Sequence, residues 1–543
     1  MQKFHLVMNK TLSNFILIVF ISALFINCAN RGNPEGGPKD LDPPKIIKTE
    51  PENYSIHFNG KEIKIYFDEY IKIKDIQKQL IISPPMNTQP EIIPLGNASK
   101  YISIKIYDTL PPNTTYAFNF GNSITDNNEG NPYPYYKYVF STGDYIDSLS
   151  VKGNILDAEK LAPDTFVSVM LYEVDSTYTD SVIYKNPPKY ITNTLDSVTT
   201  FSIDNVKAGK YMLVALKDAN NDNKFQQKTD KIAFHKSFID VPTDSLYTLK
   251  LFKEATNFNA VRPQLISGGK IAFGYEGDYK DMQITLKSDV PEGFLSRTTK
   301  DVETDTLYYW YQPKLELDSL VFNVSKDDFK QDFVIRLKDN KRDTLVINTN
   351  TSGSIGYDQD FKIFGTTPFK SFDTTKIAII DKDSTEVTFS SAFDTISNTL
   401  ALNFIKTEDN SYNISVLPET FTDIFGDTND SLNYKLATPK KSNFGSWRLQ
   451  VINATYPIIV QLITENGDIR YEKYSTKQED LDFLNLTPSK YQVRVINDVN
   501  GNRKYDTGNY LKKIQPENSS YFEINDPVRA DWEQIHPLEL LKQ

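Results

Sequence analysis

Two short stretches of the chain carry oxygen-bearing side chains at alternate positions. Their candidate ligands are Asp218, Asn220, Asp222 and Asp230 in DANNDNKFQQKTD, and Asp498, Asn500, Asn502 and Asp506 in DVNGNRKYD. Such oxygens can wrap a hard cation, and Ca²⁺ takes about six to eight of them, although neither stretch has the Gly and Glu of an EF-hand loop. Asp and Asn also form Asx turns, in which the side chain bonds its own backbone. The sequence therefore leaves calcium and a structural turn as alternatives.

Signatures of catalysis are scarce. The histidines after Cys28 are His57, His235 and His536, and they are widely separated along the chain. The sequence has no HExxH, no GxSxG and no phosphate-binding glycine loop. Carboxylate pairs such as Asp68-Glu69 are typical of a solvated surface in an acidic chain. We therefore predict a protein that is not an enzyme and has no catalytic residues.

An aromatic run, LYYWYQP, contains Tyr308, Tyr309, Trp310 and Tyr311. Exposed aromatic strips stack on sugars or on partner proteins. Neighbouring residues of a strand point to opposite faces, so half of this run is expected in the core.

The elements that must position these residues are strands. The chain has 32 Tyr and 33 Phe, and Ile, Val and Thr recur in short alternating runs, which is strand composition. Alternation places three residues on one face in each of two such runs, namely Ile63, Ile65 and Phe67, and Ile102, Ile104 and Ile106. Asn466-Gly467 marks a hairpin turn. We predict an all-β protein of tandem β-sandwiches.

An internal repeat relates distant parts of the chain. Residues 205–225 align without gaps to 485–505, always at an offset of 280. Six pairs are identical: Asn205/Asn485, Lys210/Lys490, Tyr211/Tyr491, Asp218/Asp498, Asn220/Asn500 and Lys224/Lys504. Residues 115–131 also resemble 411–429. The repeat predicts that Asp218 and Asp498 lie in equivalent loops.

The single cysteine, Cys28, follows a 12-residue apolar run, 15–26, with Lys3 and Lys10 before it. This run is too short to span a membrane and has the pattern of a secretory signal, with Met1 or Met8 as the start. A signal that ends on Cys resembles a lipobox, which implies that Cys28 becomes the lipidated N-terminus; a plain signal peptide is the alternative. Residues 28–43 are predicted to form a flexible tether.

Several motifs resemble known families. DPPKIIKTEPEN, IKIYFDEYIKIKD and the closing YVFSTG resemble the SbsA-type Ig-like domain, and with the GGPKD tether they resemble Ig-like lipoproteins of Gram-negative bacteria. LSVKGNILDA and FSIDNVKAGKYMLVAL resemble prealbumin-like or carboxypeptidase-regulatory-like β-sandwiches. The resemblance implies a signal peptide (1–27), the tether, and five modules: Ig-like module 1 (44–143), prealbumin-like module 2 (144–253), unassigned β module 3 (254–349), Ig-like module 4 (350–438) and prealbumin-like module 5 (439–543).

The resemblance also shapes the functional prediction. It implies a rod of modules anchored by lipid to the outer membrane, on the periplasmic or the cell-surface side. The partners would be integral outer-membrane β-barrel proteins or other envelope proteins of an assembly or secretion machine. The formal net charge of −11 excludes a nucleic-acid partner. A carbohydrate-binding surface lipoprotein is the alternative, and calcium is the one cofactor considered.

A last motif, Asp-Ser/Thr-apolar, resembles bacterial O-glycosylation acceptors. It starts at Asp108, Asp147, Asp244, Asp305, Asp318, Asp343, Asp394 and Asp430. Turn chemistry before a strand is the alternative.

Overall fold

The chain is all-β in a computed structural model that describes residues 40–195 and 199–541. Within these ranges the only α-helices are two single turns, α1 (Ile76–Gln79) and α2 (Val182–Lys185). Two 3₁₀ turns cover Thr374–Lys376 and Lys441–Asn443. The fold class is therefore the predicted one, tandem β-sandwich modules.

The described residues form two compact units. The smaller comprises residues 40–80, Thr88–Thr109 and Asn119–Tyr138, and the larger comprises Ile81–Asn87, Leu110–Phe118 and everything from Val139 onward. Strands of the first Ig-like region are β1 (Ile46–Glu50), β2 (Glu62–Ile73), β3 (Ile81–Ser83), β4 (Glu91–Ile93), β5 (Ser99–Lys105), β6 (Thr115–Asn119), β7 (Ile124–Asp126) and β8 (Lys137–Ser141).

The smaller unit is built on a sheet of order β1-β2-β5-β4, with β7 also paired to β2. Ile63, Ile65 and Phe67 of β2 are buried, and so are Ile102 and Ile104 of β5. Because side chains alternate along a strand, the polar residues between them lie on the outer face. The alternation therefore identified the buried face of this sheet correctly.

Module 2 is a pair of facing sheets. Its strands are β9 (Leu149–Asp157), β10 (Ser168–Glu173), β11 (Tyr190–Asn193), β12 (Thr200–Val206), β13 (Gly209–Lys217), β14 (Lys231–Phe234), β15 (Ile239–Val241) and β16 (Leu246–Leu251). One sheet has the order β11-β10-β13-β14, with β15 on β13, and the other has the order β12-β9-β16. The last strand, β16, pairs parallel to the first, β9.

Modules 3 and 4 each enclose a core of their own. Strands of module 3 are β17 (Asn259–Ala260), β18 (Gln264–Ser267), β19 (Lys270–Glu276), β20 (Gln283–Leu286), β21 (Leu295–Lys300), β22 (Thr306–Gln312), β23 (Ser319–Lys326) and β24 (Phe329–Arg336), and the following strand is β25 (Ile347–Thr349). Those of module 4 continue as β26 (Gly353–Ser354), β27 (Phe361–Gly365), β28 (Phe369–Phe372), β29 (Ile377–Asp381), β30 (Phe389–Asp394), β31 (Thr399–Phe404), β32 (Ser411–Val416), β33 (Phe421–Asp423) and β34 (Leu432–Ala437).

The sheets of these two modules use neighbouring strands of the chain. Module 3 has sheets of order β17-β19-β22-β21, with β18 on β19, and β20-β23-β24. The next sheets have the orders β25-β27-β31-β30, β26-β34-β32-β29 and β28-β33. Since β25 pairs with β27, residues just before the predicted boundary at 349/350 belong to a sheet of module 4.

Module 5 repeats the topology of module 2. Its strands are β35 (Gly445–Ile452), β36 (Ile458–Ile463), β37 (Ile469–Ser475), β38 (Asp480–Leu486), β39 (Gln492–Asn497), β40 (Ser519–Glu523) and β41 (Glu533–Glu539). Its sheets have the orders β37-β36-β39-β40 and β38-β35-β41, and β41 is parallel to β35. β36 and β37 form an antiparallel pair whose connection contains Asn466-Gly467, as predicted.

Matching tyrosines mark the same corner in modules 2 and 5. The Tyr211 hydroxyl donates to the carbonyl of Lys207 at 3.1 Å, and the Tyr491 hydroxyl donates to the carbonyl of Thr487 at 2.9 Å. Each residue follows its partner by four positions, so the gapless repeat preserves the corner as well as the strands.

Modules 2 and 5 also touch each other. Tyr510 of module 5 is fully buried in a core cluster that is otherwise made of module 2 residues. Its ring packs edge-on against Phe234, with ring centroids 5.3 Å apart, and Lys513 forms an ion pair with Asp180 at 2.7 Å. A rod in which each module contacts its chain neighbours does not account for this contact.

Candidate functional site

The Asp/Asn loop of module 2 follows β13 and is closed by its own hydrogen bonds. Asp218 Oδ1 accepts from the backbone N–H groups of Asn220 (2.9 Å) and Asn221 (2.8 Å), and its Oδ2 accepts from Asn223 N–H at 2.7 Å. Asp222 Oδ1 accepts from Lys224 N–H at 3.0 Å. These bonds are those of the Asx-turn alternative.

Two further residues complete this loop. Asp230 is fully buried and accepts from Ala219 N–H at 3.1 Å and from Gln226 N–H at 2.8 Å. The Gln226 side chain donates to Asp222 Oδ2 at 2.7 Å and accepts from the side-chain amide of Asn220. All four candidate ligands therefore lie together in this loop. The oxygens of Asp218, Asp222 and Asp230 accept hydrogen bonds from the loop itself, and the side-chain amide of Asn220 donates one to Gln226.

The loop of module 5 follows the equivalent strand, β39. Asp498 is buried and accepts from Asn502 N–H at 3.1 Å and from Arg503 N–H at 2.8 Å. Asn500 Oδ1 also accepts from Asn502 N–H, at 3.0 Å. Asp506 Oδ2 accepts from the side-chain amides of Asn500 and Asn502. Asp218 and Asp498 thus occupy equivalent loops, and neither lies in a helix.

Sequence reasoning missed the residue that closes the second loop. Glu517 accepts from Val499 N–H at 2.9 Å and from Asp506 N–H at 3.0 Å, the role that Asp230 has in module 2. Glu517 lies seven residues beyond the position that the offset of 280 predicts for Asp230. An insertion after the aligned segment therefore hid the correspondence, and the counterpart of Asp506 is Gln226 rather than Asp230.

Burial governs the electrostatics of both loops. It raises the pKa of Asp218 above its ordinary value, and three backbone N–H donors only partly oppose this. Burial also raises the pKa of Glu517, against the two N–H groups that it accepts from. Within residues 40–195 and 199–541, no group of three or more acidic, His or Cys side chains is arranged to hold a metal ion. Calcium and a structural turn stay alternatives, and a melting experiment can decide between them.

Short strands of modules 1 and 4 end on a comparable aspartate. Asp126, at the end of β7, accepts four backbone N–H groups from the loop that follows, at 2.7–3.0 Å. Asp423, at the end of β33, accepts from Phe425 N–H at 2.9 Å and from Asp427 N–H at 2.8 Å. These carboxylates also hold their own loops, which is a structural use of charge.

The aromatic run of β22 does not form an exposed strip. Tyr309 and Tyr311 belong to the core of module 3. Trp310 is buried on the other face, where its indole N–H donates to Thr299 Oγ1 at 2.9 Å and its ring meets Phe425 of module 4. Tyr308 alone is half-buried. More of the run is covered than the expected half, because Phe425 of module 4 and Lys270 of module 3 both lie against Trp310.

The hydroxyl residues of the Asp-Ser/Thr-apolar motifs lie mostly on the surface. The exposed ones are Thr109, Ser148, Ser245, Thr344, Thr395 and Ser431, whereas Thr306 and Ser319 are half-buried. Asp394 accepts a local bond from Ile396 N–H at 2.9 Å. Turn chemistry and an accessible hydroxyl therefore coexist at Asp394 and Thr395, and glycosylation stays a prediction.

Cys28, the signal segment and most of the predicted tether lie outside the described residues. Among the residues that are described, no helix is both long and apolar enough to cross a membrane. Lipid attachment at Cys28 therefore stays a prediction.

Comparison with known proteins finds one family model that matches part of this chain. Residues 40–142 match the bacterial Ig-like domain. The match lies on module 1. The S-layer protein rSbsC is similar at 12% identity over 89% of this chain and 67% of that chain, with a TM-score of 0.16. The TIE protein of Bacillus anthracis is similar at 12% identity over 93% of this chain and 76% of its own, with a TM-score of 0.15. No curated protein matches the chain.

Proposed function

We propose that this protein is a non-catalytic accessory subunit of an outer-membrane assembly or secretion complex, held to the membrane by a lipid on Cys28. It would present β-sandwich surfaces to an integral β-barrel protein. The observation that carries the proposal is the packing of module 5 on module 2. A structural subunit must hold its binding surfaces in fixed positions, and a buried contact between modules far apart in sequence provides that.

The module 2–module 5 contact is made of several independent interactions. Besides Tyr510 and the ion pair of Lys513, the Gln515 side chain donates to the carbonyl of Phe234 at 2.9 Å, and Lys250 donates to Asn518 at 3.1 Å. Arg494 Nη2 and the Tyr521 hydroxyl of module 5 both donate to the carbonyl of Ala158 in module 2, at 3.4 Å and 3.2 Å. These interactions fix the position of module 5 relative to module 2.

The use of the carboxylates supports a non-catalytic role. Asp126, Asp218, Asp423 and Asp498 accept backbone N–H groups of their own loops. A catalytic acid or base must instead direct its oxygens at a substrate. The alternative of carbohydrate binding by the aromatic run loses its basis, because those rings are largely covered.

Purification from membranes tests the proposal. The tagged full chain is expressed in a Gram-negative bacterium, extracted in mild detergent and affinity-purified. We expect an integral outer-membrane β-barrel protein to co-purify in a fixed ratio. The matched variant Cys28→Ser should leave the membrane fraction and lose that partner, because two or more acyl chains are what anchors stably. Recovery of the wild-type chain alone would contradict the accessory role, and a membrane-bound Cys28→Ser protein would contradict the anchor.

A further inference from the structure

A cleft of about 630 Å³ lies where module 4 meets module 5. One wall is the loop between β26 and β27 with the start of β27, and the other is formed by Phe444 just before β35, Tyr471 of β37, and the end of β38 with Thr487 after it. The volume lies in the range of small-ligand sites, about 300–1,000 Å³. The repeated residue Asn485 lies on one wall, so this cleft uses a position that the repeat has already singled out.

Three polar side chains of the cleft each use one oxygen to accept a hydrogen bond from the protein. Asp358 Oδ2 accepts from the Asn485 side-chain amide at 3.1 Å, and Asp360 Oδ1 accepts from that of Asn403 at 2.7 Å. Gln359 Oε1 accepts from Gly356 N–H at 3.1 Å. Among the described residues, no side chain or backbone group donates to the second carboxylate oxygens of Asp358 and Asp360. The cleft therefore offers fixed acceptors to a ligand.

Aromatic rings line the same cleft. Tyr357 and Phe444 pack edge to face, with centroids 6.0 Å apart at 73°. Tyr471 is fixed by Thr487, whose N–H it accepts at 3.1 Å, and by the ring of Tyr491 at 5.9 Å. None of these contacts requires a ligand, so the apolar surface is formed in advance.

We propose that this cleft binds a neutral sugar unit of a glycan. A sugar ring has hydroxyl donors along its edge and apolar C–H faces, and these match fixed carboxylate acceptors beside aromatic rings. Asp358 and Asp360 line the cleft together with Lys362, and Lys406 interacts electrostatically with both carboxylates. These lysines offset the two carboxylates, so an acidic sugar gains no net attraction and must place its carboxylate beside Asp358 and Asp360. The site involves neither the lipid anchor nor a β-barrel partner, so its failure would leave the proposed accessory role standing.

Titration calorimetry on the full chain in detergent tests the site. The probes are maltopentaose, mannopentaose and chitopentaose, with an oligogalacturonide as the acidic comparison and calcium chloride as the cation comparison. We expect at least one neutral probe to bind and the oligogalacturonide to bind more weakly or not at all. Asp360→Asn keeps an oxygen for Asn403 but presents an amide to the cleft. Loss of one charge-assisted hydrogen bond should raise Kd of the bound probe roughly tenfold or more.

The matched control is Asp328→Ala, which removes one exposed carboxylate from module 3. It should leave Kd unchanged, whereas Phe444→Leu should weaken binding by removing an aromatic wall. Absence of heat with all three neutral probes would overturn the proposal. So would neutral-sugar binding that Asp360→Asn leaves intact, or a response to calcium alone.

Discussion

Replacing Tyr510 should separate module 5 from module 2 while both modules stay folded. The Tyr510 side chain is 0% exposed, its ring contacts Phe234, and its hydroxyl lies 3.3 Å from that of Tyr178. Truncation of a buried aromatic residue to Ala costs about 3–5 kcal/mol. Because the ring of Tyr510 inserts into module 2 rather than into the core of module 5, this loss falls on the contact. The ratio of separated to packed molecules should rise by roughly 10² to 10³·⁵.

Native-state hydrogen exchange measures this ratio directly. In Tyr510→Ala, amides at the contact, including Asn509 and Ile514, should exchange about a hundredfold faster or more, because their mutual hydrogen bonds belong to that segment. Amides of β36, in the core of module 5, should keep their rates. Tyr510→Phe retains the ring and should lose only about 1 kcal/mol.

Tyr145→Ala is the control for a tyrosine that is largely exposed, and it should change neither set of rates. The reasoning would be refuted if Tyr510→Ala accelerated β36 as strongly as the contact segment. Tyr510 would then stabilise module 5 itself.

Three further outcomes are expected. Lys231→Met should destabilise module 2 by about 3–5 kcal/mol, because the Lys231 ammonium lies 2.7 Å from the fully buried carboxylate of Asp157 and its loss leaves that charge unpaired. Urea unfolding followed by hydrogen exchange measures the loss, and Lys236→Met, at an exposed position, should have little effect. Burial lowers the pKa of His536, so the unfolded chain takes up the proton first and stability should fall as the pH drops below about 6.5; His536→Phe should lose this pH dependence of the melting midpoint. Calcium and chelator should leave the melting midpoint unchanged, because the oxygens of Asp218 already accept three N–H groups; a rise with calcium that Asp218→Ala removes would establish a cation site instead.

Local pattern predicted the strands well because burial in a sandwich follows the two-residue period of the strand. Ile63, Ile65 and Phe67 are buried as the alternation indicates. The gapless repeat likewise predicted equivalent loops after β13 and β39, since the constant offset of 280 places the ends of the two strands, Lys217 and Asn497, at matching positions. These features depend on residues close together in the chain.

Contacts between modules were beyond the reach of the sequence pattern. Alternation places Trp310 on the outer face of β22, and its burial depends on Phe425 of module 4 and on Lys270, whose ammonium lies 4.6 Å from the Trp310 ring centroid. Tyr510 lies outside the repeated segment, and its partner Phe234 is far away in the sequence. The sequence predicted where the Asp/Asn loops lie. It could not predict which N–H groups bond to their oxygens, because that depends on the path of the backbone.

The parallel pairing of first and last strands in modules 2 and 5 has a mechanical consequence. In module 2 the register runs from Leu246 opposite Lys152 to Leu251 opposite Asp157, so the ends of the module leave from opposite ends of one strand pair. A pull on the two ends would slide β9 and β16 past each other and load all their hydrogen bonds at once, rather than opening them one by one. β35 and β41 have the same arrangement. Modules 2 and 5 should therefore resist unfolding when tension is applied along the chain, because the terminal strand pair of each is loaded in shear.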